Sequence, residues 1–139
     1  MTVAYPDGYI ADILNSVKTV ALVGASADET RASHRVLRFL RDAGYEMLPV
    51  NPRLDEVLGL RVYPSLAAID QPVDMVDVFR RKERLYGVAE QAIEIGAKVL
   101  WGQLGVYDDA AAGLAEEAGM KVVMDRCPKI ELQRMEVPG

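Results

Sequence analysis

The run Thr19-Val20-Ala21-Leu22-Val23-Gly24-Ala25-Ser26 decides the fold. Its first five residues read as a strand with apolar character on both faces, which is the pattern of a parallel sheet covered by helices on either side. The strand stops at Gly24. After the short stretch Ala27 to Ala32 and Ser33, Val36, Leu37, Leu40 and Ala43 recur at helical spacing. A strand, a glycine turn and a helix in that order open a βα unit, in which the turn brings helix-terminal amides to the carboxyl end of the strand.

The unit repeats along the chain. Further buried strands are expected at Glu46 to Val50, Asp74 to Val78, Lys98 to Trp101 and Lys121 to Met124, and successive strand starts lie 27, 28, 24 and 23 residues apart. That spacing accommodates a strand, a crossover helix and the next parallel strand. Leu85, Val88, Ala89, Ala92 and Ile93 form the apolar side of the third connection, and Ala111, Leu114, Ala115 and Ala118 that of the fourth. Gly44, Gly96 and Gly119 each stand between a helix and the following strand, where a left-handed cap is needed. The second connection, Asn51 to Pro72, is rich in Pro and carries only a small helix, Ser65 to Ile69, capped by the serine hydroxyl. Tyr9 to Val17 is read as an opening helix with Asp7 as its cap, and Pro128 to Gly139 as a tail laid over the domain. The expectation is an α/β protein: one Rossmann-like, doubly wound domain over residues 1–139, with a five-stranded parallel sheet in the order 3-2-1-4-5. That order places a ligand crevice beyond strands one and four.

Composition narrows the function. The 139 residues carry 21 acidic and 16 basic side chains, and the net charge of −5 argues against general nucleic-acid binding. No apolar run is long enough to span a membrane and the start has no signal pattern, so a cytoplasmic protein without a membrane partner is expected. A single Cys makes no internal disulfide, and a single His leaves little for a metal site. Neither G-x-G-x-x-G nor a Walker A pattern is present, which disfavours an ordinary P-loop nucleotidase.

The chemistry therefore collects at the carboxyl ends of the strands. Gly24, with the hydroxyls of Ser26 and Ser33, can receive a phosphate; equally, Gly24 can be a structural turn and Ser33 the cap of the next helix. Arg31 either points inward as charge partner or balances Asp28 and Glu29 on the surface. The second strand runs through Val50 into Asn51, Pro52 and Arg53. A guanidinium here suits a ribose that carries a phosphate, favouring coenzyme A or NADP over NAD, unless Asn51-Pro52 is only a rigid turn and Arg53 its solvated tip. Phe79 and Arg80 border the crevice, whereas Arg81, Lys82 and Arg84 read as solvated residues of a helix start. Gln103, between Gly102 and Gly105, can make two-sided amide contacts; Trp101 either packs on a thioether arm or fills the core. Cys127 is a small buried hydrophobe or a thiol near a thiol-bearing ligand. Arg126 pairs with Asp125 or with a phosphate. His34 is expected partly exposed near the loop, in no triad or metal cluster, and Asp108 and Asp109 at a helix cap.

In combination these segments resemble the family of small stand-alone CoA-binding proteins, which is similar to the N-terminal CoA-binding domain of the succinyl-CoA synthetase alpha subunit. The resemblance is carried by Val23 to Ser26 with Ser33, Pro49 to Pro52, Tyr63 to Leu66, Val73 to Arg80, Trp101 to Gly105 and Val122 to Pro128. It implies a domain that binds coenzyme A or acyl-CoA. Gly24, Ala25 and Ser26 with the following helix start would receive the pyrophosphate. Val50, Asn51, Pro52 and Arg53 would surround the adenosine and its phosphorylated ribose, with Arg31 as another candidate for that phosphate. Phe79, Arg80 and Gln103 would border the pantetheine arm. On this resemblance, neither the larger synthetase's second domain with its phosphorylated histidine, a role His34 is not expected to take, nor the ATP-grasp partner is expected within this chain. Ligand binding without an assigned reaction is expected, no metal is implied, and monomer or homodimer and the protein partner stay open. The alternatives are an NADP-dependent oxidoreductase and an interaction protein with a vestigial nucleotide crevice.

Overall fold

The structure is a computed structural model that describes residues 4–6 and 8–136. Its centre is β1 (Thr19–Val23), which pairs in parallel with β2 (Glu46–Val50) on one side and β5 (Met75–Val78) on the other. Strands β6 (Val99–Gly102) and β7 (Lys121–Val123) continue the sheet. The two short strands β3 (Glu56–Val57) and β4 (Leu60–Arg61) form a separate antiparallel ribbon in the second connection.

Counting only the parallel strands, the sheet order is 2-1-3-4-5 and not 3-2-1-4-5. Burial explains the difference. All four residues of β5 are completely inaccessible, which an edge position would not permit, and β5 is hydrogen-bonded on both sides. The chain therefore doubles back across β1 after β2. The reversal, and the crevice it opens, lies between β1 and β5, the first and third parallel strands.

The pleat of β1 sends Val20 and Leu22 to one face and Ala21 and Val23 to the other. The first face is covered by α1 (Tyr9–Ser16), α2 (Ala32–Asp42) and α5 (Pro128–Glu136), the second by α3 (Leu85–Glu94) and α4 (Asp109–Glu117). Ile13 and Leu14 anchor α1, while Val36, Leu37 and Leu40 anchor α2. The segment from Pro128 is a helix packed against α1 and α2, not a laid-over tail; residues 137–139 lie outside the described ones. Asp7, the expected cap of α1, also lies outside them, and Gly8 holds the N-cap position at φ 84°. The small helix after Ser65 is a single 3-10 turn, Leu66–Ala68, that receives no bond from the serine hydroxyl.

Both sheet edges are partly covered. Along β2, Tyr63 donates its N–H to the Pro49 carbonyl (2.9 Å) and accepts from the Asn51 N–H (3.0 Å). Along β7, the Tyr9 hydroxyl accepts from the Val122 N–H and donates to the Val122 carbonyl, both at 3.0 Å. The Tyr5 hydroxyl does the same for Met124, accepting at 2.5 Å and donating at 3.3 Å, and the two rings stack 5.6 Å apart. Among the described residues no helix is long and apolar enough to cross a membrane.

Candidate functional site

Gly24 ends β1 at φ 95°, and its N–H and that of Ala25 both donate to the Val50 carbonyl. A Cβ at this position would collide with the carbonyl oxygen of Phe79. Glycine is thus required twice, by the backbone angle and by the close approach of the β1 and β5 ends. Phe79 donates its N–H to the Val23 carbonyl at 2.8 Å, which holds that approach.

The loop after Gly24 is shaped by short polar links. The Ser26 hydroxyl accepts from the Asp28 N–H at 3.0 Å, and the Asp28 carboxylate accepts from the Thr30 hydroxyl and N–H at 2.7 and 2.9 Å. The Thr30 hydroxyl, then its N–H, and then the charge of Arg31 hold the Asp28 carboxyl below the usual range. Asp28 lines the groove described below, with Arg31 Nε 4.0 Å from its carboxylate, so Arg31 both answers that charge and lines the groove. The N-cap residue of α2 is Arg31, and no side chain caps the helix. Ser33 is therefore a buried residue of the first turn and not the cap. An uncapped helix start leaves its first amides available to an anion.

His34 departs from expectation. It is 3% exposed, with Nδ1 2.9 Å from the Ser26 carbonyl oxygen, and it braces the loop from beneath. Asn51 staples two strand ends together: its amide donates to the Ala25 carbonyl at 2.7 Å and its oxygen accepts the Arg53 N–H at 2.7 Å. That bond makes the rigid turn expected at Asn51-Pro52 and leaves the Arg53 side chain exposed.

On the neighbouring strands, the Gly105 N–H donates to the Asp125 carboxylate at 2.7 Å and the Arg126 N–H to the Gly102 carbonyl at 3.2 Å. Asp125 takes a left-handed φ of 58° to do so. These bonds tie the loops after β6 and β7 together, which puts Gln103 and Cys127 on one groove. Trp101 is fully buried and donates its indole N–H to the Arg126 carbonyl at 2.8 Å, so it belongs to the core. The Arg126 guanidinium donates to the Asp125 carbonyl and lies over the Tyr5 ring, away from the crevice. Asp108 caps α4 through the Ala110 N–H.

Two adjoining grooves result. The larger, about 1060 Å³, is lined by Gly24, Ala25, Ser26, Arg31 and Ser33 on one side and by Phe79, Arg80, Gln103 and Cys127 on the other. The smaller, about 540 Å³, holds Val50, Pro52 and Arg53, and the two share Gly24, Asn51 and Arg80. The fold thus brings all twelve expected ligand residues to one continuous cleft at the β1/β5 reversal. It also adds Arg84, which reads as solvated in the sequence but lines the smaller groove with Arg53 and Arg80. No acidic residue lines that groove, and none of its three arginines is in an ion pair among the described residues. Helical phase could have singled out Arg84: it lies three residues before Gly87 and four before Val88, which line the same groove.

A small doubly wound domain with an anion-receptive cleft at its strand-order reversal is the class that these features define. The family model described as a CoA binding domain matches residues 18–133, and the chain belongs to that family. It is 46% identical over 121 residues to a Bacillus subtilis protein named Uncharacterized protein YneT, covering 87% of this chain and 90% of that one. It is 31% identical over 58 residues to an ADP-forming acetate–CoA ligase of Methanocaldococcus jannaschii, a match that takes in 42% of this chain and 8% of the ligase. A solved structure of a hypothetical protein from Pyrococcus horikoshii OT3 superposes with a TM-score of 0.88 at 38% identity, covering 96% of this chain and 98% of that one. The chain is thus a CoA-binding domain related to the superfamily of ADP-forming acyl-CoA synthetases and succinyl-CoA synthetases.

Proposed function

We infer that the protein binds coenzyme A, free or acylated, in the cleft at the β1/β5 reversal. The observation that carries the placement is the smaller groove, where Arg53, Arg80 and Arg84 converge without an acid on a chain of net charge −5. Such a charge cluster suits the phosphorylated ribose, since an arginine fork meets phosphate oxygens with paired, charge-assisted bonds. The pyrophosphate then falls at Gly24, Ala25 and Ser26 beside the uncapped start of α2, with Arg31 and Ser33 at hand. Val50, Asn51 and Pro52 take the adenosine, and Phe79, Arg80 and Gln103 flank the pantetheine arm along the larger groove. Family membership supports the choice of ligand. The single cysteine, unable to form an internal disulfide, fits a cytoplasmic setting.

Calorimetric titration with CoA and dephospho-CoA tests this placement. CoA is expected to bind tenfold to over a hundredfold more tightly, about 1–3 kcal/mol, and Arg53→Ala or Arg84→Ala to narrow that gap. Equal affinities for both ligands would remove the arginines from the assigned role.

A further inference from the structure

Cys127 is the chain's only cysteine; it is 7% exposed, packed at the edge of the core that holds Val36 and Leu37, and it lines the larger groove. It stands just before α5, its carbonyl accepting the Glu131 N–H, so the residue sits at the N-terminal end of a nine-residue helix. The same groove is lined by Gln103, 5% exposed, whose buried Oε1 has no partner among the described residues. A buried acceptor left open on a cleft wall is a place for a ligand's N–H or O–H. Apolar surface completes the setting: Leu104 and Ile130, 59% and 39% exposed, both line this groove. An open acceptor, apolar walls and a thiol complement a flexible arm that carries amide groups and ends in sulfur.

Building on the coenzyme A reading, we propose that Cys127 is a thiol-exchange site for disulfides of coenzyme A. The Cys127 sulfur gives up its proton and attacks the nearer sulfur of the bound disulfide. The ligand's S–S bond breaks as the new Sγ–S bond forms. The departing thiol carries away the electron pair and takes up a proton. Cys127 is oxidised, the released half of the ligand is reduced, and the disulfide itself is the only oxidant consumed. A second thiol reverses the step, so the protein records the thiol-disulfide state of its own ligand.

The experiment follows adduct formation by intact-mass spectrometry with CoA disulfide and glutathione disulfide at equal concentration, alongside calorimetry of CoA on the same protein. Labelling by CoA disulfide is expected at least tenfold faster than by glutathione disulfide. It should be absent in Cys127→Ser, whose folding is checked by thermal unfolding. It should also slow severalfold in Arg53→Ala, because the coenzyme's delivery depends on that arginine. If CoA binds but the two disulfides label at equal rates, or no adduct forms, the exchange role is overturned and the binding role stands. If CoA does not bind at all, both readings fall.

Discussion

Asp77 lies in the middle of the sheet, with Leu22 and Trp101 as its register partners, and neither carboxyl oxygen has a partner among the described residues. Burial pushes this carboxyl well above the usual carboxylate range. The folded state therefore holds its proton at pH values where the unfolded chain has released it, and stability falls as pH rises from about 4 toward the raised value. Asp77→Asn should abolish that slope and gain about 1–3 kcal/mol on the parent between pH 4 and 7, read from urea midpoints. Parallel pH profiles for the two proteins would show that Asp77 ionises without cost. Asp74 contrasts with it on the same strand's approach. Partial burial raises its carboxyl, but the N–H groups of Lys18 and Thr19 and the charge of Lys98 outweigh that and leave it lowered. Two aspartates three residues apart thus titrate in opposite directions, and nothing in their local sequence separates them. At Gly24 the turn is readable from the strand-glycine-helix order, whereas the collision with the Phe79 carbonyl depends on which strand lies next to β1.

The elements show a similar division. The expected limits of β1 and β2 are the observed ones, because each is a short apolar run bounded by turn residues. Helix α5 was not visible as a helix, since its hydrophobic pattern is weak and its stability comes from lying on α1 and α2. The outer edge of β7 illustrates an element completed by distant side chains. Tyr5 and Tyr9 each offer one hydroxyl to both the N–H and the carbonyl of one strand residue, doing there what a further strand would do. Removing both hydroxyls in Tyr5→Phe/Tyr9→Phe leaves that edge bare. A loss of about 1–3 kcal/mol is expected in chemical denaturation, with stronger concentration-dependent association in light scattering than the parent shows. Unchanged stability and association would mean that water serves the edge equally well.

For the molecule as a whole, the second connection sets the course. By crossing back over β1 it makes β5 central and puts the Phe79-Arg80 loop, rather than the one after β6, directly beside Gly24. The segments after all five parallel strands then meet in one cleft, and a ligand that spans them should stabilise the entire fold. At a hundredfold excess over its Kd, CoA should add about 2.7 kcal/mol, a rise of roughly 9 °C in Tm by thermal scanning. NADPH should give a much smaller rise; a large one that CoA cannot displace would return the oxidoreductase reading to first place. By itself, the sequence determined the α/β class, the positions of five buried strands and the set of residues at their carboxyl ends, because apolar period, strand spacing and turn chemistry are local properties of the chain. Only the tertiary structure decided the strand order, the burial of His34 and the recruitment of Arg84 to the smaller groove, as well as the joining of Gln103 and Cys127 on the larger one. Each of these depends on which segments become neighbours after the crossovers, and that is settled by burial and hydrogen bonding between residues far apart in the chain.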